Sequence, residues 1–388
     1  MQPVRIAVIG VGNMGTFHLV NIAKQPLVQL TAVCDIVPER AQSAAEQYNC
    51  QAFADSQALL EAKVCDAVLI ATPHYAHTTI GIAAMQAGYH VLVEKPISVH
   101  KADCERLIAA HQDKGVVFAA MFNQRTDPHY IKIRQLVQDG ELGKLERISW
   151  IITDWFRSQA YYDSGGWRAT WKGEGGGVLL NQCPHNLDLL QWICGMPQRI
   201  HGFCGLGVWH NIEVEDQVTA YLEYPDHCSG VFIASTGEAP GTNRLEIAGE
   251  RGKLVFEGGV ITFMRNAESA RKFCQESPAL FAKPEKEMLT VEADGSGGQH
   301  MAVLENFANA ILNGETLIAP AEEGIHSVEL ANAMLYSSFT GKAVDVPMDS
   351  AAYEHRLMEL IRASAVEKAN KDTIAPDVAT SFNITPKK

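Results

Sequence analysis

The first third of the chain alternates short apolar runs with longer stretches in which apolar residues recur every three or four positions. VRIAVIG (4–10), LVQLTAVCD (27–35), CDAVLIATP (65–73), HVLVEKP (90–96) and VVFAAMFNQR (116–125) predict strands, and HTTIGIAAMQAGY (77–89) predicts a helix. Strand and helix patterns in alternation point to a doubly wound parallel sheet. The rhythm changes after Arg125. A helix over PHYIKIRQLVQDG (128–140) stops at a glycine; then LERISWIITDW (145–155), DQVTAYLEY (216–224), SGVFIAS (229–235), NRLEIAG (243–249) and GKLVFEGG (252–259) alternate between Pro, Gly and Asp turns. These segments predict an open, mostly antiparallel sheet. The expected fold class is α/β, with a parallel-sheet domain over residues 1–125 and an α+β domain over 126–388.

Composition narrows the class of function. With 388 residues and 47% hydrophobic content, the chain is longer than one core usually holds and is ordinary for a soluble globular protein. Its start, MQPVRIAVIG, lacks the basic, apolar and small-residue order of a signal peptide, and no stretch approaches the roughly 20 apolar residues of a membrane span, so a cytoplasmic protein is expected. Nine cysteines lie scattered without a C-x-x-C pair, which predicts reduced thiols rather than a disulfide or zinc framework. A formal charge of −13 with no Lys/Arg cluster argues against nucleic-acid and anionic-membrane partners. Small-molecule chemistry is the class that remains.

The chemistry begins where the first strand ends. Gly10, Gly12 and Gly15 of GVGNMG satisfy G-x-G-x-x-G, so the turn that also holds Asn13 and Met14 is an expected cradle for a pyrophosphate. The second strand ends in Asp35, 20 positions after Gly15, where an acid is expected on a ribose 2′-hydroxyl. A carboxylate there repels a 2′-phosphate and favours NAD; Arg40, five residues on, leaves NADP open. In such sheets ligands bind beyond the carboxyl ends of the strands, which singles out Thr72, Pro73, His74, His77, Glu94, Lys95 and Asn123 for the cofactor and Arg125 for the substrate. His74 and His77 make only an H-x-x-H pair, read as cofactor-loop residues; no metal is expected.

Lys95 follows HVLVE directly and precedes a proline that fixes the local backbone. It is either a solvated lysine or, on the ligand side near a positive nicotinamide, a group able to polarise a substrate hydroxyl. Here the sequence resembles the nicotinamide-dependent oxidoreductases typified by glucose-fructose oxidoreductase and inositol dehydrogenase. The likeness rests on GVGNMG, ATPHYAH, VEKPIS, the GGG…H..D segment at 175–188 and EEGIHSVELANAMLYSSFTGKAVDVP near the end. It implies a Rossmann domain followed by a larger domain whose open sheet mediates contacts in a homo-oligomer, a dimer or tetramer. It also implies that Lys95 and His185 are catalytic.

Two segments of the second half carry the remaining candidates. DWFRSQAYYDSGGWRATW (154–171) gathers six aromatics: Trp155, Phe156, Tyr161, Tyr162, Trp167 and Trp171. They either staple a long loop or form a wall for sugar rings, whose hydroxyls suit Arg157, Arg168 and Asp163. In VLLNQCPHNLDLLQWICG, Asn181, His185, Asp188 and Trp192 share one helical stripe, and Pro184 is expected to kink a continuous helix just before His185. Histidine suits exchange of a hydroxyl proton, because its pKa lies near neutrality. Lys95 would orient and polarise the same oxygen. Many members of the family carry Asp where Asn181 stands; an amide can position a sugar hydroxyl but cannot take a proton.

The expected activity is NAD-dependent oxidation of a secondary hydroxyl on a sugar, glycoside or inositol-like polyol. Tyr161, Trp167, Arg168 and Asn181 would contact the substrate with Arg125, Lys95 and His185. Two other readings use the same motifs: redox-assisted cleavage of a glycosidic bond with NAD recycled, and a non-catalytic cofactor sensor. Retention of Lys95 and His185 opposes the sensor.

Overall fold

Six short strands form one sheet in the order β3-β2-β1-β4-β5-β6, every neighbouring pair parallel. They are β1 (Val4–Ile9), β2 (Val28–Cys34), β3 (Gln51–Phe53), β4 (Ala67–Ile70), β5 (His90–Val93) and β6 (Phe118–Ala120). The central strands are covered on both faces, which explains why they read as continuous apolar runs rather than alternating ones. Strand order reverses between β1 and β4, and the crevice beyond their carboxyl ends is where such sheets take ligands. The computed structural model describes residues 2–293 and 295–364; the C-terminal stretch KANKDTIAPDVATSFNITPKK, read from sequence as a loose tail or an arm, lies outside them.

The second sheet has nine strands: β7 (Leu145–Ile152), β8 (Arg199–Leu206), β9 (Glu215–Glu223), β10 (Ser229–Ser235), β11 (Asn243–Gly249), β12 (Gly252–Glu257), β13 (Val260–Asn266), β14 (Lys286–Val291) and β15 (Val344–Asp345). Their order is β14-β13-β12-β11-β7-β10-β9-β8-β15, antiparallel except for the parallel pair β7 and β10. The exception has a topological cause. The chain leaves β7 at Ile152 and returns to the sheet only at Arg199, so no tight hairpin sets the direction of β7 against its neighbour. From Asp216 onward the alternation along β9 is strict: Val218, Ala220 and Leu222 point into a core shared with Trp150, Phe232, Leu187 and Met334, while Thr219 and Tyr221 face outward.

Packing does not follow the single cut near residue 125. The helix Gln299–Asn313 buries Val303, Leu304 and Phe307 against Val4, Ile6 and Leu19 of the first sheet layer. Ala120 N–H also donates to the Ala319 carbonyl at 3.0 Å, adding the segment before the helix Gly324–Thr340 to the β6 edge. Residue 125 therefore marks a change of strand pattern, while the later chain crosses back to complete the first core. Amphipathic periodicity says that a helix buries one face, not which sheet receives it.

Candidate functional site

At the β1 carboxyl end each glycine of the turn has its own steric reason. Gly10 has φ +92°, and a Cβ there would lie 2.6 Å from the Ala71 carbonyl oxygen; one on Gly15 would lie 1.9 Å from the Gly10 oxygen. These two residues permit the turn and the close approach of helix to strand. A Cβ on Gly12 would meet no atom within 4 Å, so the turn opens on a cradle at the N-terminus of the helix Asn13–Ile22, which no side chain caps. Backbone N–H groups at such a terminus suit a phosphate. Asp35 is pinned against the turn: one carboxylate oxygen accepts from Val11 N–H at 2.8 Å and the other from Val37 N–H at 2.9 Å. Arg40 is exposed on the following helix.

Farther along the crevice, Thr72 Oγ1 and Asn123 Oδ1 are buried and lack a hydrogen-bond partner among the described residues; Asn123 Nδ2 donates to Gln299 at 2.7 Å. Unpartnered buried polar atoms are costly unless something else completes them. His77 is a brace, its ring nitrogens each 2.8 Å from a carbonyl, of Pro96 and of Thr72. His74 lies 3.4 Å from the Glu174 carbonyl and edge-on to Trp167. Elsewhere, His100, Asp103 and Glu354 come within ligating distance of one another, but Arg106 already binds both carboxylates, at 2.5 and 2.7 Å.

The histidine segment is two helices, Val178–Asn181 and Pro184–Cys194, rather than the single kinked one expected. Pro184 occupies the first position of the second helix, where its missing N–H has no intrahelical partner to lose, and His185 comes next. The side chain of His185 is buried (5% exposed) edge-on to Phe122, and its Nδ1 has no partner among the described residues. Burial, assisted by the charge of Lys95, holds its pKa well below 6.5, so the ring is neutral at pH 7. Lys95 Nζ donates to the Asn181 backbone carbonyl at 3.0 Å. Burial lowers the lysine pKa too, while Glu94 and Glu174 oppose the shift.

Around Asn181 the chain assembles Tyr161, Arg168, Gln182 and Glu174. Tyr161 O–H donates to Asn181 Oδ1 at 3.0 Å, Arg168 Nη1 donates to the Tyr161 oxygen at 2.7 Å, and the Arg168 guanidinium lies over the Tyr161 and Trp167 rings. The aromatic loop divides. Tyr162 and Trp171 are core residues, as a staple would be, whereas Tyr161 and Trp167 stay partly open, Tyr161 on the Asn181 amide and Trp167 edge-on to His74. Arg125 is not a free fork. Its guanidinium makes a bidentate pair with Asp188 at 2.7 and 2.6 Å and a further bond to Glu323 at 2.5 Å, so substrate contact is replaced by a structural duty.

Sequence reasoning missed His18, Glu174 and His300. His18 stands 2.6 Å from Glu94, both buried, and His300 packs edge-on against His18 and Phe17. His18 lies three residues after Gly15, on the helix face that meets the strands, and that spacing was a usable signal. No local pattern links position 300 to position 18.

Burial gives this cluster an acid lability. The His300 pKa falls from 6.5 to about 4, with His74, His77 and His185 lowered in the same direction by burial. Because the folded pKa lies below the unfolded one, the stability is present above pH 6.5 and is lost as pH falls toward 4. His300 alone accounts for on the order of 3 kcal/mol. Urea unfolding between pH 7 and 4.5 should show a falling midpoint, flatter in His300→Gln; equal slopes in both proteins would remove His300 from the effect.

The family model described as oxidoreductase family, NAD-binding Rossmann fold, matches residues 4–122, and the GFO/IDH/MocA C-terminal domain matches residues 130–255. Inositol 2-dehydrogenase of Salmonella typhimurium is 34% identical over 36% of this chain, a match that spans only 43% of that relative's length. The D-glucoside 3-dehydrogenase of Escherichia coli K12 is 27% identical over 89% of this chain and 98% of its own. The WlbA dehydrogenase of Chromobacterium violaceum, solved with NADH and UDP-GlcNAcA, superimposes with a TM-score of 0.78 at 25% identity, covering 90% of this chain and 97% of that one.

Proposed function

Because the chain belongs to the GFO/IDH/MocA oxidoreductase family, with the NAD-binding Rossmann domain at its N-terminus, we propose that it is an NAD-dependent dehydrogenase of a secondary hydroxyl on a sugar, glycoside or cyclic polyol. The observation that carries this reading is the pairing in one crevice of a neutral, buried His185 with a Lys95 ammonium fixed on the Asn181 carbonyl. Relatives named for inositol and D-glucosides support the substrate class.

The residues present fit the cofactor. Gly12 leaves room for the pyrophosphate, Asp35 faces the turn where a ribose hydroxyl would be met, and Thr72 and Asn123 each offer an unpartnered oxygen. NAD held by these residues would supply the acceptor for the hydride of the carbinol carbon. His185 takes the hydroxyl proton, which its neutral form allows. Lys95 has three N–H donors and commits one to Asn181, so it can donate another to the substrate oxygen and stabilise the charge that grows there. In the reverse direction His185 returns the proton while Lys95 keeps its hydrogen bond to the same oxygen. Tyr161, Trp167 and Arg168 form the wall against which the ring lies.

The outward sheet face, with Phe203 and Tyr221 exposed, is the surface we assign to contact between copies. Nine free cysteines fit a reducing compartment such as the cytoplasm, and no helix among the described residues is long and apolar enough to cross a membrane. The test is a panel of inositols, free sugars and glycosides followed at the absorbance of reduced nicotinamide, with NAD and NADP separately. Stoichiometric NADH from a polyol or sugar is expected, with NAD preferred. Glycoside cleavage without net NADH would replace oxidation by the cofactor-recycling reaction, and absence of cofactor binding would remove the dehydrogenase assignment.

A further inference from the structure

Building on that dehydrogenase reading, we infer that Glu174 is a positioning residue for the reaction: its carboxylate fixes the sense of the Asn181 amide, and thereby the direction of the hydrogen bonds that run from Arg168 through Tyr161 to the residue holding Lys95. Glu174 is 1% exposed and sits just before the glycine run. One of its oxygens accepts from Ala169 N–H at 2.6 Å, and the other accepts from Asn181 Nδ2 in a short contact. An ionised carboxylate only accepts, so the amide edge turned toward it must be the NH2. Asn181 Oδ1 is then obliged to face Tyr161 O–H and Gln182 Nε2, each at 3.0 Å. With its proton given to Asn181, the Tyr161 oxygen receives Arg168 at 2.7 Å and Gln182 at 3.2 Å. Every donor in the chain points one way, toward Glu174.

The same carboxylate supports the lysine. Asn181 presents its side chain to Glu174 and its carbonyl to Lys95 Nζ, so the ammonium and the buried anion flank one residue. Besides burial, the charged neighbours that act on Lys95 are Glu94 and Glu174, which favour the ammonium, and Arg168, which opposes it; Cys183 also bears on it.

Reversing one polarity at a time separates this duty from mere packing. In Glu174→Gln the new amide must still accept from Ala169, so its NH2 faces Asn181 and forces that amide to flip, leaving Tyr161 facing a donor on both sides. In Asn181→Asp two carboxylates meet, and one must take a proton or move away. In the double variant Glu174→Gln/Asn181→Asp, the amide introduced at position 174 donates to the carboxylate introduced at position 181, which accepts again from Tyr161. The original direction then returns with the charge moved from one partner to the other. Each single variant should lose about thirtyfold in kcat/KM on the best substrate of the panel, and the double variant should regain about tenfold over Asn181→Asp. A readout free of turnover is the pH dependence of Lys95 acetylation by acetic anhydride, followed by peptide mass spectrometry on the cofactor-free protein. Its midpoint should fall by about half a unit or more in Glu174→Gln. Unchanged midpoints together with a double variant no better than Asn181→Asp would overturn the inference. A wild type that turns over nothing in the panel would instead sink the dehydrogenase reading, and the acetylation midpoints would still judge Glu174.

Discussion

Lys95→Met and His185→Asn, made separately, are expected to lower kcat for sugar or polyol oxidation by about a thousandfold each while changing NAD affinity by less than about threefold. Lys95→Met keeps the length and volume of the side chain, and His185→Asn keeps a polar amide near the position of Nδ1 while removing the base, so the unchanged NAD affinity separates lost chemistry from lost structure. His185 has an unpartnered Nδ1 and a pKa well below 6.5, and Lys95 Nζ hangs from the Asn181 carbonyl. They act on one oxygen, so the double variant should be little worse than either single one. The pH profile tests the coupling. In the wild type the acid limb of kcat/KM should lie below the ordinary histidine range, because burial and the neighbouring ammonium both disfavour imidazolium. The limb should move upward in Lys95→Met, where that positive neighbour is gone. A limb that stays in place would show that His185 is not the group titrating, and a kcat within about threefold of wild type in either variant would remove that residue from the reaction.

How much of this was legible depended on whether the information was local. Gly10 and Gly15 have the steric reasons their spacing suggests, because the turn and the helix approach lie within six residues, and Gly12 leaves open the space beside them. The strands β1, β2, β4, β5 and β6 of the first sheet and β7, β9, β10, β11 and β12 of the second fall within a few residues of the apolar runs that predicted them, since burial on two faces or on one leaves a direct trace in the pattern, whereas β3, β8, β13, β14 and β15 were not predicted. Pro184 was visible but misplaced in meaning. Periodicity carried a helix through it, whereas the backbone restarts there and uses the proline as a first residue. What sequence did not carry was pairing over distance. Arg125 looked like a ligand fork because it follows a strand, and nothing nearby announced that Asp188, 63 positions on, would take it. Glu174 was hidden for a different reason: a charged residue in a glycine run reads as a solvated loop, and only the fold buries it against Asn181.

Arg125→Met is expected to be the most destabilising of these substitutions, by about 3–5 kcal/mol in urea unfolding at pH 7. Arg125 and Asp188 side chains are each 1% exposed and joined by two parallel bonds, and the Glu323 carboxylate that shares the guanidinium is 44% exposed. Removing the arginine leaves Glu323 free to turn to water but strands Asp188, with Gln191 at 3.2 Å as its remaining side-chain donor among the described residues. Removing both charges in Arg125→Met/Asp188→Leu takes away the stranded anion, so the double variant should recover most of the loss. The clamp has a catalytic consequence because Asp188 lies three residues beyond His185 on the same helix, while Arg125 sits in the 3-10 turn that follows β6. A loosened helix should misplace the base more than it weakens ground-state binding, so kcat should fall in Arg125→Met with KM nearly unchanged. The opposite pattern, wild-type stability with a KM raised about a hundredfold, is what a substrate fork at Arg125 would give. The bidentate pairing to Asp188 predicts that it will not be seen, since a guanidinium already held by two carboxylates has little left to offer a sugar hydroxyl.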